Sequence, residues 1–168
     1  MIEENLHEVL RSIEESRAKR TIADAKEPVR LVAVTKNHGV AEMREAIAHG
    51  VTDIGENRIQ EAREKFETLE RTAVWHLIGH LQKNKAKYAV KLFDLIHSVD
   101  TLELAEALDK EAGKIGKRQD VLVQVNLAKE ASKSGIYEED LQPLLEAVDA
   151  LPHLRLRGLM CIAPNYDE

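Results

Sequence analysis

The stretch "LVAVTKNHGVAEMREAIAHG", Leu31 to Gly50, contains one complete structural unit. Leu31–Thr35 is an almost unbroken apolar run, as in a strand buried on both faces, and it ends abruptly at Lys36. Beyond a short polar loop, Val40, Met43, Ala46 and Ile47 trace one face of a helix, which Gly50 closes as a C-terminal cap residue. Strand, loop, helix and glycine stop make a βα unit. A dinucleotide site would place G-x-G-x-x-G in the turn, whereas "KNHGVAEM" stands there.

The unit recurs. A short strand near Thr52–Gly55 precedes a helix marked by Ile59, Ala62, Phe66 and Leu69, and the strand Val74–Ile78 precedes a helix over Gln82–Lys91. "FDLIHSV" is followed by a helix that Thr101 begins, and "DVLVQVNL" by a helix around Glu138–Ala150. "LRLRGLMCI" is the sixth strand, set off from that helix by Pro152. Upstream, Leu6, Val9, Leu10 and Ile13 give an additional amphipathic first helix, joined to the rest by the polar connector "TIADAKEPVR". Strict alternation predicts a parallel sheet covered by helices, because parallel strands need crossover connections. An open doubly wound sheet and a (β/α) barrel both satisfy it; the missing glycine fingerprint favours the barrel.

Composition narrows the function classes. The 168 residues are 43% hydrophobic and 32% charged, which suits one domain spanning 1–168 with a real core. A net charge of −6 and few aromatics argue against nucleic acid or an anionic membrane as partner. No run approaches a membrane span, and the acidic N-terminus is unlike a targeting peptide. Cys161 is the single cysteine; it reads as a buried free thiol in a reducing, cytoplasmic setting.

In a parallel barrel, reactive groups project from the C-terminal strand ends. Those ends carry Lys36, Asn57, His80, Asp100, Asn126 and Met160, and Lys36 is the lysine standing directly at a terminus. Partial desolvation near cations such as Arg58 would favour its neutral amine, which condenses with aldehydes such as pyridoxal phosphate. Read alone, the position is better explained by a lysine snorkelling to solvent. "SKSG" (Ser132–Gly135) lacks the glycine frame of a phosphate loop and reads as a structural turn. His76 and His80 are four apart without the glutamate of a zinc-protease helix, so no metal site is expected.

Six segments in register carry a more specific signal: "LVAVTK", "DIGENRIQEA", "WHLIGHLQKNK", "IHSVD", "VLVQVN…SKSG" and "LRLRGLMCIAP". Together they resemble the pyridoxal-phosphate homeostasis protein family, single-domain relatives of the alanine-racemase N-terminal barrel. The resemblance implies a TIM-like (β/α) barrel binding pyridoxal 5'-phosphate as a Schiff base on Lys36. It implies a cytoplasmic role in vitamin B6 homeostasis without robust turnover, hence no catalytic residues, and a monomer or weak dimer when complete. Asn57 would hydrogen-bond the cofactor's phenolic oxygen, or else cap a helix. His80, with Gln82, would line the mouth or else stand behind it or at the surface, and Met160 would wall the ring or simply be core. Lys83–Lys87 would attract the anionic cofactor or form a solvated face. The alternatives are a racemase- or decarboxylase-like enzyme needing a second domain or partner, and a Schiff-base aldolase.

A closed barrel has eight strands and about 200 residues. The family pattern continues beyond the sixth strand with a serine loop and an "R-I-G-T"-like strand end that clasp phosphate. The sequence is therefore expected to be a barrel truncated after about six strands, lacking its C-terminal part, with unpaired edges at Leu31–Thr35 and Leu154–Cys161.

Overall fold

The computed structural model describes residues 1–21, 27–131 and 133–164. Residues 22–26 of the polar connector, Ser132 of the "SKSG" loop and residues 165–168 lie outside the described residues. After α1 (Ile2–Ala18), strands and helices alternate: β1 (Ala33–Val34), α2 (Val40–Ala48), β2 (Asp53–Glu56), α3 (Ile59–Leu69), β3 (Val74–Leu77) and α4 (Ala86–Leu92). Then follow β4 (Leu95–Val99), α5 (Leu102–Lys114), β5 (Gln119–Gln124), α6 (Glu138–Asp149) and β6 (Leu154–Met160).

The six strands form one parallel sheet in the order β1-β2-β3-β4-β5-β6. Each strand lies beside its predecessor, so the chain winds in one direction. A doubly wound sheet would reverse at a switch point. The order therefore decides for a barrel-type α/β fold, opened between β1 and β6.

Register sorts the two faces. Ala33, Ile54 and Trp75 lie side by side, and this face packs against the helices. Trp75 is fully buried, meets Phe66 of α3 edge-on at 5.3 Å and donates its indole N–H to the Glu70 carbonyl at 2.9 Å. Val34, Gly55 and His76 form the next register row and point to the opposite, concave face. Val34, on the edge strand, is 47% exposed.

Several local expectations are revised. Only Ala33–Val34 of the apolar run forms β1, although the Thr35 N–H still reaches the Gly55 carbonyl at 3.0 Å. The helix expected from Gln82 begins as a 3-10 turn over Lys83–Lys85. Of the first helix's apolar face only Leu6 is buried, while Val9 and Leu10 are exposed. Cys161 is exposed rather than buried, since β6 ends at Met160 on the open edge of the sheet. Thr101 caps α5, its hydroxyl accepting the Leu104 N–H at 3.1 Å.

Candidate functional site

Lys36 stands just beyond β1, between two residues whose backbone is tightly held. The Thr35 carbonyl accepts from Lys65 Nζ at 2.7 Å, and the Asn37 N–H donates to Glu61 Oε1 at 2.8 Å. Asn37 adopts φ 64°, a conformation asparagine tolerates better than most residues, which turns the chain sharply after Lys36. The Thr35 hydroxyl donates to Glu56 Oε1 at 2.6 Å; Lys65 also bonds that oxygen at 2.7 Å and Glu61 Oε1 at 2.9 Å. All three ammonium donors of Lys65 are thus engaged.

Burial alone would disfavour charge on Lys65, but its bonds to Glu56 and Glu61 outweigh that and raise its pKa. The Lys65 and Asn37 bonds hold the Glu61 carboxyl below its usual range. Glu56 is completely buried, and its second oxygen, Oε2, has no protein partner. A buried ion network therefore grips the backbone on both sides of Lys36. Lys65 sits on the buried stripe of α3 between Ala62 and Leu69. That was its signal in the sequence: a charge in phase with an apolar face.

Lys36 itself is exposed. Its amine forms no ion pair or hydrogen bond among the described residues. Two other strand-end groups are committed: Asp100 accepts the Gly135 N–H at 3.0 Å, and Asn126 donates to the carbonyls of Glu130 and Lys133. These bonds tie the "HSVD" and "SKSG" segments together. At Gly135, φ is +119° and a Cβ would lie 2.7 Å from Asn126 N, so the expected structural turn is present.

Asn57, His80 and Met160 also lie at the C-terminal edge of the sheet, on or just beyond β2, β3 and β6. Among the described residues no side-chain hydrogen bond joins them to one another or to Lys36. Asn57 is half-buried and is not a cap; the N-cap of α3 is Arg58, without a side-chain bond. Its backbone meets Gly79 so closely that a Cβ there would lie 2.4 Å from the Asn57 carbonyl oxygen. His80 is exposed, with Nδ1 3.4 Å from Ser134 Oγ, and Met160 is half-buried.

A second polar assembly crosses the concave face, which strand reading did not anticipate. Asp53 Oδ2 lies 2.7 Å from His76 Nε2, and His76 Nδ1 lies 2.8 Å from His97 Nε2. Arg30 closes the far end, donating to Asp53 at 3.2 Å. Burial opposes charge on Asp53, yet bonds from the Thr52 hydroxyl, His76 and Arg30 hold its carboxyl below the usual range. Burial, reinforced by the neighbouring His76, pushes His97 down to about 4. Among the described residues no group of three or more His, Cys, Asp or Glu side chains is arranged to hold a metal, and no helix is long and apolar enough to cross a membrane.

Comparisons with known proteins agree with the fold. Residues 14–168 match the family model described as alanine racemase, N-terminal domain. The chain is 46% identical over 135 residues to a pyridoxal phosphate homeostasis protein of Pseudomonas aeruginosa, covering 80% of this chain but only 59% of that protein. It is 35% identical over 173 residues to the homologue of the same name in Pasteurella multocida, covering 99% of this chain and 72% of that one. The structure of PipY from Synechococcus elongatus PCC7942, determined with PLP bound, superposes with a TM-score of 0.79 at 40% identity, covering 98% of this chain and 71% of PipY. A one-directional parallel sheet, a lysine at the end of its first strand and these similarities lead to one conclusion: the chain belongs to the pyridoxal phosphate homeostasis protein family, built on the alanine racemase N-terminal fold.

Proposed function

We propose that this chain binds pyridoxal 5'-phosphate through the amine of Lys36 and serves intracellular homeostasis of that cofactor. One observation carries the reading. Lys36 has no side-chain partner among the described residues, while its backbone neighbours are fixed by the Thr35–Glu56–Lys65–Glu61 network. An uncommitted amine on a fixed backbone is pre-organised to capture an aldehyde without first breaking an ion pair. Bound there, the cofactor supplies a reversible carbonyl linkage to amines. Asn57 would hydrogen-bond its ring substituents, Met160 would face the ring, and His80 would border the mouth. The PLP-bound PipY structure supports this cofactor class. The exposed free thiol of Cys161 suits a reducing compartment, and we place the protein in the cytoplasm.

We infer a role in holding and releasing cofactor rather than turning over substrate. The relatives from Pseudomonas aeruginosa and Pasteurella multocida carry the name of a homeostasis protein, which supports this reading. We also take the complete protein to be a monomer or weak dimer, with residues 1–168 one barrel domain that further strands would close. Mixing the chain with pyridoxal phosphate, reducing with borohydride and mapping the labelled peptide tests the binding. A single adduct at Lys36 is expected, and label scattered over surface lysines would refute it. Robust racemisation of D- or L-alanine would refute the non-catalytic role.

A further inference from the structure

The start of α3, the loop after β3 and the 3-10 turn leading into α4 border a cavity of about 270 Å³. Its walls carry three permanent cations, Arg58, Arg63 and Lys85, and no carboxylate side chain. That is unexpected in a chain of net charge −6. Random placement would mix the signs, as on the rest of this surface, where Lys114, Lys129 and Arg155 all pair with acids.

The three cations are held ready rather than neutralised. Arg63 stacks over the ring of Tyr88, its guanidinium carbon 4.4 Å from the centroid, and Lys85 lies 5.8 Å from the same centroid. A guanidinium stacked on its flat face keeps its edge N–H groups free for an anion. Among the described residues none of the three cations forms a hydrogen bond or an ion pair. Glu61, whose field Arg58 feels, is committed to Lys65 and Asn37. Lys87, 4.9 Å from the Tyr88 centroid, adds positive potential and lowers the Tyr88 pKa.

We propose that this cavity is a phosphate-binding site, for inorganic phosphate or the phosphate of a small monoester, distinct from the Lys36 site. Two guanidinium forks and an ammonium around one small volume match the several acceptor oxygens of a phosphate dianion better than a single carboxylate. The volume admits a phosphate group with a small part of its ester. Asn57 and His80 also line this cavity, whereas Lys36 does not.

The test is a titration of inorganic phosphate into the full chain carrying Lys36→Ala, which removes covalent capture, followed by amide nuclear magnetic resonance spectra. Saturable shifts are expected at Gln60, Arg63, Lys85 and Tyr88, weakening as ionic strength rises. The double variant Arg63→Gln/Lys85→Gln changes two exposed side chains and should bind at least about tenfold more weakly, with unchanged spectra elsewhere. Pyridoxal without phosphate should not compete. Tighter competition by pyridoxal phosphate than by AMP would identify a cofactor ester as the natural occupant, and the reverse order a nucleotide. Shifts spread evenly over exposed lysines, or an affinity unchanged in the double variant, would overturn the proposal. Loss of the borohydride adduct in the wild-type protein would leave it standing, because the two sites are read separately.

Discussion

The rings of His76 and His97 meet edge to face at 75°, with Nδ1 of the first 2.8 Å from Nε2 of the second. Asp53 occupies the other nitrogen of His76, so the three side chains form one hydrogen-bonded chain across the concave face.

That chain predicts acid sensitivity. His97 has its pKa pushed down to about 4, so between about pH 6.5 and 4 the unfolded chain takes up a proton that the folded protein refuses. Stability should fall as pH drops through that window, by at most about 3 kcal/mol for this residue, less to the extent that its partial exposure screens it. The lowered pKa of Asp53 adds a further loss below the ordinary carboxylate range. Urea unfolding at pH 7 and pH 5 should show a smaller difference for His97→Gln than for the wild type. Equal differences would contradict the assignment.

The buried network around Lys36 predicts a large single-site effect. Lys65→Met leaves Glu56 buried without its cation and should cost about 3–5 kcal/mol in urea unfolding. Adding Glu56→Gln to that variant should recover part of the loss, because the uncompensated charge is gone. Strictly additive losses would show that the two side chains do not act as a pair.

Lys36 should behave in the opposite way. Its side chain is exposed and without a partner among the described residues, so Lys36→Ala should shift stability by no more than about 0.5 kcal/mol. The same variant should lose the reducible cofactor adduct altogether. A variant that fails to fold would place Lys36 in the framework instead of the site.

Gly79 is a steric test of the mouth. A methyl group there meets the Asn57 backbone at 2.4 Å and 2.8 Å, and backbone cannot rotate aside. Gly79→Ala should cost about 1–3 kcal/mol as the β2 and β3 loops are forced apart. It should also weaken cofactor retention by moving Asn57, measurable as a faster return of free pyridoxal phosphate absorbance on dilution. Unchanged stability and retention would mean that the loops relax freely.

Periodicity and covalent order were sufficient for the alternation of strands and helices and for a parallel sheet. Leu31–Gly50 and its successors declare strand or helix through spacings of two, three and four residues, which near neighbours alone satisfy, and their alternation dictates parallel pairing. Lys36 at a strand end was legible for the same reason, as was the family, which resides in short contiguous segments. Tertiary structure alone decided the order of the strands, the engagement of Lys65 with Thr35 thirty residues away, and the Asp53–His76–His97 chain, whose members are 23 and 21 residues apart. It also decided that Arg58, Arg63 and Lys85 converge on one cavity. Such contacts depend on the register between strands and the seating of helices on the sheet. These are set by the packing of the whole core, and no local spacing records them.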